Sequence, residues 1–127
     1  MTQLGYLASP YQHPDPLIRK KRLLAVTYVA AELFMQGRYV FSPLTHNVPL
    51  KGFGVLGDWD AWKAYDELLL SRCNILYVLQ LAGWEQSKGV SGEIAFAKAK
   101  KIPITMLGAP EEKAYLNGAF IDALKTV

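Results

Sequence analysis

The sequence predicts an α/β fold: a Rossmann-like or flavodoxin-like three-layer sandwich, with a parallel sheet of about four strands and helices on both faces. Three observations carry this. The apolar run Asn74-Ile75-Leu76-Tyr77-Val78-Leu79-Gln80 reads as a strand buried on both faces. A small-residue loop, a helix ending near Lys100-Lys101 and the short strand Ile102 to Leu107 follow it, completing a βαβ unit. The same alternation of strand and helix runs from one end of the chain to the other.

Leu4 to Ser9 is the first strand, and Pro10 to Pro14 is the loop at its carboxyl end. Asp15 followed by Pro16 starts a helix, as an N-cap with proline at the first helical position. Leu23, Val26, Ala30 and Leu33 recur at helical spacing and predict its core-facing stripe, which Gly37 closes. The charges from Arg19 to Arg22 read as a solvated face. Arg38 to Pro43 is the second strand. Leu44 to Gly57 is expected to be a long loop serving as a lid or pocket wall. It contains Gly52-Phe53-Gly54-Val55-Leu56-Gly57, a literal G-x-G-x-x-G. About nine residues separate that motif from the preceding strand, and no acidic residue ends the next strand, so a dinucleotide site is rejected. Asp58 is expected to cap a helix from Trp59 to about Arg72. Leu81 to Gln86 is a loop, and Pro110 opens a last helix running to Ala123 or beyond. Strand order 2-1-3-4 follows, with the switch point between the first and third strands, where the loops holding Ser9, Tyr11, Ser87 and Glu93 meet.

With 127 residues, half of them hydrophobic, the chain fits one domain spanning 1–127. No apolar run approaches the roughly 20 residues of a membrane span. The first strand begins at once, without a basic segment leading into a signal core, and Cys73 stands alone. A cytoplasmic protein without disulfides is expected. Cys73 precedes the buried strand and reads as a core residue. The net charge of +3 suits a small anionic ligand better than a nucleic-acid track.

Glu93 follows Gly89 and Gly92 at the start of the helix after the central strand, and is expected in its first turn. There it either complements the helix dipole or serves chemistry. Trp62, Asp66, Leu69 and Leu70 share one helix face. A carboxylate among such neighbours needs a partner or a pocket, because burying it unpaired costs several kcal/mol. His13 and His46 lack acidic or cysteine partners at ligand spacing, so no metal and no other cofactor is expected. No nucleophile elbow or Walker loop is present. Asp66 and Glu93 remain, with hydroxyls at Ser9, Ser87 and Ser91. Paired carboxylates beside an anomeric carbon can cleave a glycosidic bond, and a first-turn glutamate would stay ionised, as a nucleophile must. Hydroxyls and N–H groups at a helix start suit phosphate.

The motif Tyr6-Leu7-Ala8-Ser9-Pro10, then Asp66, Asn74 and Ser87-x-Gly89-Val90-x-x-Glu93-Ile94, resembles the nucleoside 2′-deoxyribosyltransferase superfamily over almost the whole chain. Gly-Trp-x-x-Ser-x-Gly-Val at 83–90 looks nearest to an uncharacterised bacterial and phage domain family within it. The resemblance implies that Glu93 attacks the anomeric carbon and that Asp66 contacts the base or assists its departure. It implies that Tyr6 borders the sugar. Ser87 stands where 2′-deoxynucleoside 5′-monophosphate N-glycosidases carry a phosphate-binding serine and free-nucleoside transferases carry aspartate. Arg19 is a further phosphate candidate, and Ser9, Tyr11, Gly89 and Ser91 complete the substrate-binding set. Asn74 and Ala95 depart from the superfamily's usual aspartate and glycine. Relatives complete the site from a neighbouring subunit, so a homodimer or larger homo-oligomer is implied, with Asn117 as one guess at the donated residue. A nucleotide-binding module without turnover is the alternative.

Overall fold

The computed structural model describes residues 2–55, 57 and 59–116. Four parallel strands, β1 (Leu4–Ala8), β2 (Tyr39–Phe41), β3 (Ile75–Gln80) and β4 (Ile104–Gly108), form one sheet in the order β2-β1-β3-β4. This is the α/β architecture and strand order the sequence predicts. Tyr6 is paired with Phe41 on one side and with Leu76 on the other, and Val78 pairs with Met106. The direction of strand addition reverses after β2. Crossover helices of one hand therefore fall on opposite faces, and a crevice opens beyond the carboxyl ends of β1 and β3.

The helices are α1 (Pro16–Met35), α2 (Pro43–Lys51), α3 (Trp59–Ser71), α4 (Lys88–Ala99) and the single turn α5 (Glu112–Tyr115). On one face of the sheet Leu7, Tyr77 and Leu79 pack with Leu24, Val26 and Leu33 of α1 and Tyr115 of α5. On the other, Tyr6, Ala8, Leu76 and Val78 pack with Leu70 of α3 and with Val90 and Ala97 of α4. Leu7, Leu76 and Leu79 are completely buried, and each contributes about 1.5–3 kcal/mol of apolar transfer. Cys73 belongs to this second core, and burial pushes its thiol up to about 11. At neutral pH it is a packing group, not a thiolate.

Helix α1 starts as its sequence requires. The Asp15 carboxylate accepts from the Leu17 N–H at 2.9 Å, Pro16 takes the first helical position, and Gly37 follows the last turn at φ +80°. The basic run near its start is not wholly a solvated face. Arg22 donates to the carbonyls of Gln12 (2.8 Å) and Ala82 (3.0 Å), tying the loop after β1 to the loop after β3. Both loops border the crevice.

Two expectations are corrected. Residues 44–57 are not one long loop, because α2 occupies Pro43–Lys51. The Ser42 hydroxyl accepts from the Thr45 N–H at 3.4 Å, and Pro43 sits at the first helical position, where its missing N–H costs nothing. Pro49, inside the last turn, is what gives this stretch a loop-like look. Second, α4 begins at Lys88 with Ser87 as its N-cap, so Glu93 lies in the second helical turn rather than the first. Asp58, Asn117 and the rest of the stretch expected to form the last helix lie outside the described residues, and α5 itself ends at Tyr115. No helix among those described is long and apolar enough to cross a membrane.

Candidate functional site

A cleft of about 330 Å³ opens at the carboxyl ends of β1 and β3, within the size range of small-molecule sites. Four elements wall it. The loop after β1 supplies Ser9, Tyr11 and Gln12, α2 supplies Leu44, Asn47, Val48 and Lys51, α3 supplies Trp59, Trp62 and Asp66, and the start of α4 supplies Ser87, Lys88, Gly89 and Glu93. A larger hollow of about 650 Å³ lies by Gly5, Tyr39, Ile75 and Thr105, near the amino ends of the strands. It holds no carboxylate, so the carboxyl-end cleft is the candidate site.

Glu93 is 4% exposed, yet it lines this cleft. The Tyr6 hydroxyl donates to its Oε2 through a short hydrogen bond. Burial pushes the Glu93 carboxyl up to about 8, against the pull of the Tyr6 hydrogen bond, and the nearby negative charge of Asp66 pushes the same way. The expectation that its place on the helix keeps Glu93 ionised therefore fails. In the second turn the free N–H groups of the helix start are a turn away, and desolvation dominates. Tyr6 itself is fully buried and does not line the cleft. It stands behind the carboxylate and orients it, rather than bordering a ligand.

Asp66 has both a partner and a pocket. It is 6% exposed, lines the cleft and accepts at Oδ1 from Asn47 Nδ2 at 2.9 Å. Asn47 Oδ1 in turn lies 2.8 Å from His46 Nδ1, and the His46 ring stacks on Tyr65 of α3 at 5.8 Å. Burial raises the Asp66 carboxyl, while the Asn47 hydrogen bond and the charge of His46 oppose the shift. The two carboxyls thus share one cleft, each raised by burial and each held by a different donor.

Ser87 caps α4, its Oγ accepting from the Val90 N–H at 3.2 Å. The hydroxyl proton and the first N–H groups of the helix remain for a ligand. Gly92 makes room for the Trp59 indole, whereas a Cβ at Gly89 would meet the ring at ordinary contact distance. A Cβ on Gly92 would fall 2.6 Å from Trp59 Cζ2, and one on Gly89 3.6 Å from Cε3. Ser9 and Trp62 line the cleft with Oγ and Nε1 buried and without hydrogen-bond partners.

Besides Tyr6, two predicted residues are not brought into the cleft. Ser91 is exposed and lies two residues from both Gly89 and Glu93, roughly 200° of helix rotation from the face they share. Arg19 is directed to the carbonyls of His13 and Pro14, because at the start of α1 its side chain reaches back over the preceding loop. The sequence reading missed Asn47 and Lys51. They stand four residues apart, one turn on one helix face, a spacing that carries meaning only once Ser42-Pro43 is read as a helix start.

Residues 3–109 match a family described as a domain of unknown function, DUF1937. The chain belongs to this family. The DUF1937 match runs from β1 to the residue after β4 and includes every cleft residue named above. No curated protein matches the chain.

Proposed function

We propose that this DUF1937 protein cleaves the N-glycosidic bond of a nucleotide or nucleoside, with Glu93 as the nucleophile and Asp66 assisting departure of the base. One arrangement supports the reading above all: a buried glutamate, oriented by a tyrosine hydroxyl, that shares an aromatic-walled cleft with a second buried carboxyl. The resemblance to the nucleoside 2′-deoxyribosyltransferase superfamily supplies the reaction type. Glu93 Oε attacks C1′ while the C1′–N bond breaks and its electron pair leaves on the base nitrogen. Asn47 occupies Asp66 Oδ1, so Oδ2 is the atom that delivers a proton to the leaving base. Burial favours the protonated form of Asp66, which suits that task. Water, or a second base, then releases the sugar from Glu93. The indoles of Trp59 and Trp62 offer stacking surface for the base. A cytoplasmic substrate pool and a homo-oligomer completing the site belong to the same proposal.

One observation favours a second reading, a nucleotide-binding module without turnover. With its carboxyl pushed up to about 8, Glu93 is mostly protonated at pH 7 and can donate to a sugar hydroxyl. Base release from a panel of deoxynucleoside and ribonucleoside monophosphates and their free nucleosides separates the two. Release by the wild type and at least 10³-fold less by Glu93→Ala, with the fold intact by circular dichroism, is expected of the enzyme. Equal release by both proteins would end the glycosidase reading. Saturable binding with an unchanged ligand after long incubation would establish the module.

A further inference from the structure

Among the described residues, three donors line the cleft with no acceptor to meet them. Trp62 Nε1 can only donate, and the Ser9 hydroxyl, in a side chain 7% exposed, has no partner. The third is Lys51. Of the two lysines in the cleft wall, Lys88 is paired with Asp60 at 2.8 Å, whereas Lys51 has no carboxylate partner among the described residues. Its ammonium lies 4.9 Å from the centre of the Tyr11 ring. Burial lowers the Lys51 pKa, and the neighbouring charge of Arg19 lowers it further. A half-buried cation beside a second cation, answered among the described residues by an aromatic face, is held in a state that a bound anion would relieve. Ser87 adds a hydroxyl proton and a helix start to the same cleft. Of the two carboxyls on the wall, Asp66 accepts from Asn47 at Oδ1 and Glu93 from Tyr6 at Oε2, and neither accepts from Ser9, Trp62 or Lys51.

This surplus of donors fixes the polarity of the ligand. It must be rich in acceptors, and one end must carry negative charge. We infer that the substrate carries a phosphate monoester and that Lys51 holds it, which makes Lys51 the residue that distinguishes a nucleoside 5′-monophosphate from the free nucleoside. The inference rests on the N-glycosidase reading for the other half of the substrate, the base and sugar, and adds the cation from α2 that selects the phosphorylated form. Ser9 and Trp62 then donate to the sugar and base oxygens or ring nitrogens.

The test compares three proteins that all carry Glu93→Gln, so that no substrate is consumed: one with Lys51 kept, one with Lys51→Met and one with Lys51→Arg. Calorimetry with a deoxynucleoside 5′-monophosphate, its free nucleoside and inorganic phosphate gives the affinities. With Lys51 kept, the monophosphate is expected to bind at least tenfold more tightly than the nucleoside, with an affinity that falls as salt rises. Lys51→Met is expected to lower the monophosphate-to-nucleoside ratio about tenfold or more, and Lys51→Arg to restore most of it. Turnover by the singly substituted Lys51→Met protein would show the same loss in kcat/KM for the monophosphate relative to the free nucleoside. Equal affinity for the two ligands with Lys51 kept overturns the inference, and so does a folded Lys51→Met protein with an unchanged ratio. Should Lys51→Met fail to fold, the comparison of the two ligands and the salt dependence with Lys51 in place still decide it. No base release by wild type, together with Lys51-dependent binding of the monophosphate, would sink the glycosidase reading and leave the anion site standing. Base release without monophosphate preference would do the reverse.

Discussion

At the scale of single residues, the chemistry turns on how Tyr6 and burial divide control of Glu93. Burial favours the protonated acid, and the Tyr6 hydroxyl favours the carboxylate. On the proposed mechanism Glu93 is a nucleophile and must be ionised, and Tyr6 is then the residue that brings it within reach of neutral pH. Hydrogen bonds to charged groups contribute about 1.5–3 kcal/mol, which corresponds to roughly one pH unit or more of titration. Tyr6→Phe keeps the ring that packs against Phe41 at 5.9 Å and removes only the donor. The Glu93 titration is expected to move upward by roughly one pH unit, and NMR of the carboxyl carbon in both proteins measures it. An unmoved titration would mean that the hydroxyl does not govern the carboxylate. None of this coupling was legible in the sequence. Tyr6 and Glu93 stand 87 positions apart, and only the sheet register and the pitch of α4 bring them together. That Asp66 needed a partner was legible, because an acid flanked by Trp62 and Leu70 on one helix face could not be left bare. Its partner was not, because Asn47 lies in a stretch that reads as loop.

At the scale of elements, the sequence reading succeeded where local signals agree and failed where they conflict. Asp15-Pro16, the stripe of α1 and the apolar run of β3 each point one way. In α2 the start signal, Ser42-Pro43, competes with Pro49 and the glycines that follow, and the loop signals outweighed it. The cost was the wall carrying Asn47 and Lys51. The contact between α3 and α4 is equally specific. Gly92 is the place where the Trp59 indole meets the helix. On helix propensity alone, Gly92→Ala would gain up to about 1 kcal/mol. A Cβ 2.6 Å from the ring cannot coexist with it, and overpacking of this kind typically costs 1–3 kcal/mol unless the ring swings away. Trp59 lines the cleft, so a displaced indole reshapes the ligand site. Under the proposed function, Gly92→Ala is therefore expected to weaken binding of the nucleotide at least tenfold, with a changed tryptophan emission. Unchanged affinity and emission would show that the indole does not depend on the glycine.

For the whole molecule, the site sets a cost that the rest of the fold must carry. Glu93 has an ordinary value of 4.5 and is pushed up to about 8 in the folded protein, and Asp66 is raised by burial as well. Between those two values for Glu93 the folded state binds more protons than the unfolded chain. Stability is therefore greatest below about pH 4.5 as far as this group is concerned, and it declines as pH rises towards about 8. Tyr6 and Tyr115, also raised by burial, and Cys73, raised to about 11, extend the loss to more alkaline pH. A sheet whose central strands are buried on both faces can bear that cost, which is why an unfavourable carboxyl pair persists at the end of β1 and β3. Glu93→Gln replaces the carboxyl by a neutral group of the same shape. At pH 8.5 it is expected to raise Tm by roughly 5–10 °C over wild type, and near pH 5, where the wild-type carboxyl is itself protonated, by far less. Thermal unfolding of both proteins from pH 5 to 9 measures the difference. Parallel Tm curves across that range would mean that Glu93 does not carry the pH dependence, and that its burial is relieved by water or by a partner chain.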